Sequence, residues 1–145
     1  MYEVGPAGEA GLRLVFLEAP QPTLTRFLLS LQQAARSQFS DCLADSVVGY
    51  TTLTLLFHPL QWERDRAGAW LAEQAEKRPQ ADLEEALAAE SVVTLPVLYH
   101  PSVAPDLEWL ADQKGMSIDQ VVALHSATTY FAYATGFAPG FCYLG

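Results

Sequence analysis

The chain has 145 residues, 50% of them hydrophobic, which is enough for one domain or two small ones with a real core and excludes a disordered segment. Eight basic residues against 17 acidic ones leave a net charge of -9 with no basic stripe, which argues against nucleic acid and anionic membrane as partners. No apolar run approaches the roughly 20 residues of a membrane span, and the first residues lack the basic and apolar regions of a secretory signal, so a cytoplasmic protein is expected.

Residues 2–4 read as a short strand, residues 5–8 as a Gly/Pro turn and residues 12–17 as a second strand, together a hairpin. A helix is expected after Pro20. Pro22 suits its first turn, and Leu24, Phe27, Leu28, Leu31 and Ala35 share one face at helical spacing. Residues 42–48 and 51–57 are two β-rich runs around Gly49-Tyr50, and Pro59 ends the second. A helix is expected over 62–77, with Trp70 and Leu71 inward and Glu63, Asp65, Glu73 and Glu76 outward. Pro79 interrupts it, and Asp82 can cap a short helix through Ala89. The order ββαββα predicts a two-layer α+β domain over residues 1–90, one antiparallel sheet with helices on one face. Leu24, Phe27, Leu28, Leu31, Trp70 and Leu71 should be buried against that sheet.

Residues 90–94 read as a junction and residues 92–99 as a strand, which Pro96 confines to an edge or entry position. His100-Pro101-Ser102 is a turn. Pro105 opens a helix carrying Leu107, Leu110 and Ala111, and Gly115 ends it. Ser117 caps the next helix, with Gln120 completing a capping-box pattern, and its inward face is Ile118, Val121, Val122 and His125. An aromatic-rich strand is expected over 130–135, with Tyr130 and Tyr133 on opposite faces.

The chemistry concentrates in the last run, HSATTYFAYATGFAPGFCYLG, residues 125–145. Its candidate site residues are Gly136, Phe137, Pro139, Gly140, Phe141 and Tyr143, forming a loop that borders a pocket or a subunit interface, with His125 nearby. Pro139-Gly140 reads as a tight turn that holds Phe137 and Phe141 apart. The loop is equally readable as a structural corner whose rings cap a barrel end. Exposed rings of this kind favour self-association. No Lys or Arg follows Lys114, so the motif brings no cation of its own for a carboxylate or phosphate.

No catalytic residue is assigned, but His125 at a helix end is a candidate acid, base or donor. The bland alternative is a packed histidine that satisfies local carbonyls. Ser126 lacks a Gly-x-Ser-x-Gly elbow and reads as a helix-ending serine. Cys142 has no neighbouring cation in sequence to activate it, and it and Cys42 read as free thiols of a reducing compartment. His58, His100 and His125 show no metal-ligand spacing with each other or with the cysteines, so no metal site is expected. Without a GxxxxGK[ST] loop, no cofactor is bound by a recognisable motif. Asp106, Glu108, Asp112 and Asp119 are spaced as a solvated helix surface.

Five strings carry a family resemblance: LPVLY at 95–99, PDLEWLA at 105–111, the G-x-S-x-x-x-V of 115–121, HS at His125-Ser126, and GFAPGFCYLG. The last is similar to GFxPGFxYL at every defined position, and VVGYTTLTLLFHPL at 47–60 adds a looser likeness. Together they resemble the allophanate hydrolase subunit 1 family, whose bacterial members include the B-type subunit of the ATP-dependent 5-oxoprolinase and KipI-like inhibitors of a histidine kinase. The resemblance implies an N-terminal α+β domain over 1–90 and the start of a cyclophilin-like β-barrel over 91–145, incomplete at its C-terminus. It implies a component that opens 5-oxoproline to glutamate together with A-type and C-type subunits, the C-type one like allophanate hydrolase subunit 2, with ATP used by the complex. This chain alone would then be inactive. The alternatives are a KipI-like inhibitor that binds a histidine kinase and a carboxyltransferase-type component of urea or allophanate metabolism. The sequence departs from the family at 100–104, where a glycine-rich turn is more usual than HPSVA.

Overall fold

Strand alternation and helical spacing converge on one sheet face. The structure, a computed structural model, describes residues 1–79 and 91–145. The helix expected between Asp82 and Ala89 lies outside the described residues. The first elements are β1 (Tyr2–Pro6), β2 (Gly11–Phe16), α1 (Pro22–Gln38), β3 (Leu43–Val48), β4 (Thr52–Phe57) and α2 (Arg64–Glu76). The sheet order is β1-β2-β4-β3 and every neighbouring pair is antiparallel. The β2–β4 register sets Leu12 opposite Leu55 and Leu14 opposite Leu53. With a side-chain period of two, Leu12, Leu14 and Phe16 therefore share a face with Leu53, Leu55 and Phe57. All six are buried, together with Leu24, Leu28, Leu31 and Ala35 of α1 and Ala67, Leu71 and Ala75 of α2.

Two expected core rings sit at the margin instead. Phe27 and Trp70 are half-buried, Phe27 edge-on to Phe16 at 5.9 Å and Trp70 edge-on to Phe39 at 5.3 Å. Phe39, just past α1, takes the interior place between Trp70 and Phe57. The second helix starts at Arg64, two residues later than expected. Trp62 stacks flat on Phe57 at 4.6 Å and the Arg64 guanidinium lies 5.6 Å above it, so tertiary packing takes Trp62 off the helix. The buried polar side chain of Ser46 is satisfied by α1, since Arg36 Nε donates to its Oγ at 3.0 Å, and Gln32 Nε2 donates to its carbonyl at 2.7 Å. Tyr2 ties β1 to α2, its hydroxyl donating to Ala72 O at 3.2 Å and Glu76 Oε1 at 3.1 Å. Desolvation, and then the bond and charge of Glu76, raise this phenol above its ordinary pKa.

Gly11 opens β2 where the hairpin closes most tightly. A Cβ there would lie 2.4 Å from Ala7 O and 3.2 Å from Leu55 O, both backbone atoms that cannot swing aside. Gly11→Ala is therefore expected to cost about 1–3 kcal/mol, read as a lower denaturation midpoint. An unchanged midpoint would contradict the close approach.

Contacts divide the chain into two units, Met1–Glu90 with Ala132–Gly145, and Ser91–Phe131. The second unit carries α3 (Leu107–Lys114) and α4 (Ile118–Ala127). The strand expected over 92–99 does not form, and Val92, Val93, Leu95, Val97 and Leu98 are exposed. Pro96 supplies no N–H, and among the described residues no strand pairs with this segment, so its β-rich composition has no ladder to join. Pro105 lies in the turn before α3 rather than opening the helix, and Leu107 and Ala111 are buried while Leu110 is exposed. Gly115 takes φ 63° and ends α3 in a Schellman closure, with Met116 N–H bonded to Ala111 O at 3.0 Å and its own N–H to Asp112 O at 3.1 Å. The capping box forms, Gln120 N–H donating to Ser117 Oγ at 3.2 Å and Ser117 N–H to Gln120 Oε1 at 2.8 Å. No residue of α4 is fully buried. Ile118, Val121 and Val122 are half-buried, and His125 is exposed rather than inward, because two short helices cannot enclose a whole face.

Among the described residues the fold is thus mixed α/β, with four helices, a four-stranded antiparallel sheet and a two-stranded ribbon of β5 (Ala132–Thr135) and β6 (Cys142–Leu144). None of the described helices is long and apolar enough to cross a membrane.

Candidate functional site

The GFAPGF loop joins β5 to β6, with Thr135 opposite Cys142 and Ala134 opposite Tyr143. The strand starts at Ala132, so Tyr130 lies outside it and no face alternation relates Tyr130 to Tyr133. Two turns follow each other inside the loop. Ala138 N–H bonds Gly136 O at 2.8 Å around Phe137 at φ 66°, which is a γ-turn. Phe141 N–H then bonds Ala138 O at 3.0 Å across Pro139-Gly140, with Gly140 at φ 79°. Proline before a positive-φ glycine is the signature of a type II turn. Gly136 N–H closes the base on Phe141 O at 3.1 Å. Among the described residues Phe137 is the one non-glycine with positive φ, a conformation that costs on the order of 1–3 kcal/mol.

That backbone pushes Phe137 outward to 91% exposure. It does not hold Phe137 and Phe141 apart, since consecutive tight turns fold the loop back and the rings meet edge-on at 5.7 Å. Phe141 meets Tyr143 at 5.2 Å, Tyr143 meets Tyr50 at 6.4 Å, and Tyr50 meets Tyr133 at 5.4 Å. Tyr50, from the β3–β4 turn, also donates to Leu144 O at 3.4 Å. Sequence reasoning passed over Tyr50, and the one signal available was an aromatic residue in a tight strand connection. A shallow depression of about 390 Å³ is lined by Thr135, Gly136, Phe137, Ala138, Pro139 and Gly140, while Phe141 and Tyr143 do not line it. Cys142 is exposed, its Sγ 3.7 Å from Gly140 O.

His125 belongs to the other unit, in the last turn of α4. The Tyr99 hydroxyl hydrogen-bonds its Nδ1, and the two rings meet edge-on at 5.7 Å. Tyr130 covers the imidazole at 5.6 Å and donates its hydroxyl to His125 O at 3.3 Å. Ser126 is a helix-ending serine, its Oγ donating to Val122 O at 2.8 Å and thus committed to the helix backbone. His100 closes its own turn, with Nδ1 accepting from Ser102 N–H at 3.2 Å and lying 2.8 Å from Ser102 Oγ. Asp106, Glu108, Asp112 and Asp119 are exposed. Among the described residues no three His, Cys, Asp or Glu side chains are grouped to hold a metal ion.

Residues 2–145 match the family described as carboxyltransferase domain, subdomain C and D. The chain belongs to this family. It is 47% identical over 62 residues to the B-type subunit of 5-oxoprolinase from Escherichia coli O157:H7, covering 42% of this chain and 28% of that protein. It is 26% identical over 153 residues to the B-type subunit of 5-oxoprolinase from Bacillus subtilis (strain 168), covering 99% of this chain and 62% of that protein. The chain thus spans less than two thirds of the length of these family relatives. The crystal structure of TTHA0988 is similar with a TM-score of 0.62 and 31% identity, over 93% of this chain and 24% of that one. These matches bear out the resemblance read from GFAPGFCYLG.

Proposed function

We propose that the chain is a component of an ATP-dependent 5-oxoprolinase, which opens 5-oxoproline to glutamate together with A-type and C-type subunits. The observation that carries this reading is the match to the Bacillus subtilis 5-oxoprolinase component over 99% of the chain, a span that takes in both the loop and the His125 helix. The chemistry is compatible. 5-Oxoproline is a small lactam with an apolar ring edge and a carboxylate. The exposed rings of Phe137 and Phe141 offer apolar surface to a ligand or partner, and residues 115–145 hold no Lys or Arg. In this reading Gly136, Phe137, Pro139, Gly140, Phe141 and Tyr143 border a pocket or subunit interface. Residues 1–90 act as an α+β domain and residues 91–145 begin a cyclophilin-like one. The assembly works in the cytoplasm, with ATP handled by the complex.

The test is reconstitution. The protein, expressed at its natural length, is assayed for glutamate release from 5-oxoproline alone and with the A-type and C-type subunits, each with and without ATP. Turnover is expected only from the complete set with ATP. Turnover by the chain alone, or none from the complete set, overturns the reading. Tight binding to a histidine kinase with no turnover would favour the KipI-like alternative.

A further inference from the structure

An exposed histidine near a helix end normally samples several rotamers. His125 is restrained three times over. Its Nδ1 is hydrogen-bonded by Tyr99, its ring is flanked by Tyr99 at 81° and Tyr130 at 41°, and its carbonyl accepts from Tyr130. Among the described residues nothing bonds Nε2, although the residue is exposed. Two aromatic residues from different segments therefore contact one imidazole, and the bond they supply goes to Nδ1.

We propose that Tyr99 is a positioning residue for His125, holding the imidazole so that Nε2 faces an amide substrate as its proton partner. This rests on the 5-oxoprolinase reading for the identity of the substrate. A phenol suits the task because its oxygen both donates and accepts. When it accepts Nδ1–H, the lone pair lies on Nε2, and the same bond persists once both nitrogens carry protons. A carboxylate in its place would add a charge to the site. In opening a lactam, a step the complex couples to ATP hydrolysis for its driving force, the C–N bond breaks and a C–O bond forms to water. The water proton passes to Nε2, and the imidazole returns one proton to the released nitrogen, so the pair ends as it began. Tyr130 serves the same arrangement by fixing the chain as it leaves α4.

Tyr99→Phe, His125→Ala and the double variant are compared in the complete assembly with ATP, and the imidazole nitrogens of the full chain are followed by heteronuclear NMR. His125→Ala is expected to lower kcat by roughly 100-fold or more. Tyr99→Phe keeps the ring packing and is expected to lower kcat about tenfold with KM unchanged, the size of one hydrogen bond. The double variant should be no slower than His125→Ala, because Tyr99 acts through the imidazole. The NMR signature of Nδ1 should shift in Tyr99→Phe while the thermal midpoint stays put. Two results overturn the proposal: an equal loss from Tyr99→Phe with and without His125, or imidazole resonances that Tyr99→Phe leaves unchanged. If the wild-type assembly does not turn over 5-oxoproline, it is the substrate reading that fails. The NMR comparison then still decides the pairing, and unchanged resonances overturn it.

Discussion

Leu53→Ala is expected to lower the stability of the chain by about 2–5 kcal/mol. Leu53 is fully buried near the start of β4, and β4 is hydrogen-bonded on both sides, by β2 and by β3. It stands opposite Leu14 on one neighbour and Val48 on the other. The helix α1 covers the same face through Leu24, Leu28 and Leu31. A cavity at this point cannot collapse by moving a strand, because both ladders hold β4 in place, so the full transfer and void cost is felt. Domains of this size hold on the order of 5–15 kcal/mol in total, so one truncation removes a large share. The strand offers its own control. Leu56 points to the other face and is 37% exposed, and Leu56→Ala should cost no more than about 1 kcal/mol. Denaturant unfolding of both variants makes the check, and equal losses would overturn the one-sided core. The effect reaches the candidate loop as well, since the β3–β4 connection carries the Tyr50 that holds Leu144.

What could be read in advance depended on the range of the interaction. The buried face of α1, from Leu24 to Ala35, was legible because helical spacing is local, and so were the Ser117–Gln120 box and the Gly115 stop, where a few residues satisfy each other. Strand alternation placed the sheet runs to within a residue or two. Trp62 was misread because its ring is captured by Phe57, five positions away and on another element. Residues 92–99 have the composition of a strand, but a strand exists only with a partner, and composition does not say whether one is present. In the loop, Pro139-Gly140 announced its turn. The positive φ of Phe137 could not be foreseen, since L-residues with a side chain rarely adopt it and nothing in a phenylalanine signals it. The Tyr99–His125 bond joins residues 26 apart, and the Tyr50–Leu144 bond residues 94 apart. No spacing rule reaches that far, and the loop came to notice through its string of residues rather than through these contacts.

Gly140→Val is expected to disorganise the loop while leaving the four-stranded sheet intact. Gly140 holds φ 79° at the third position of the type II turn, and a Cβ there would meet nothing within 4 Å. The cost is therefore one of backbone conformation and not of crowding, on the order of 1–2 kcal/mol for a residue with a Cβ and more for a β-branched one. The loop has little to set against it. Its turns rest on three short-range backbone bonds, and Phe137 already occupies a strained conformation beside it. Valine should pull residue 140 to negative φ, break the Phe141 to Ala138 bond, and separate the Phe137, Phe141 and Tyr143 rings. Gly140→Asn supplies the contrast, because asparagine tolerates positive φ while adding a comparable bulk. If the loop borders a pocket or subunit interface, Gly140→Val should weaken partner binding about tenfold or more, as a cost of about 1–2 kcal/mol implies, and Gly140→Asn should retain most of it. Both should keep the thermal midpoint of the sheet within the scatter of surface substitutions. Binding to the A-type and C-type subunits, turnover with ATP and thermal unfolding are scored separately for the two variants. Normal binding and turnover in Gly140→Val would reduce the loop to a structural corner, and Gly136, Phe137, Pro139, Gly140, Phe141 and Tyr143 would then be withdrawn as site residues.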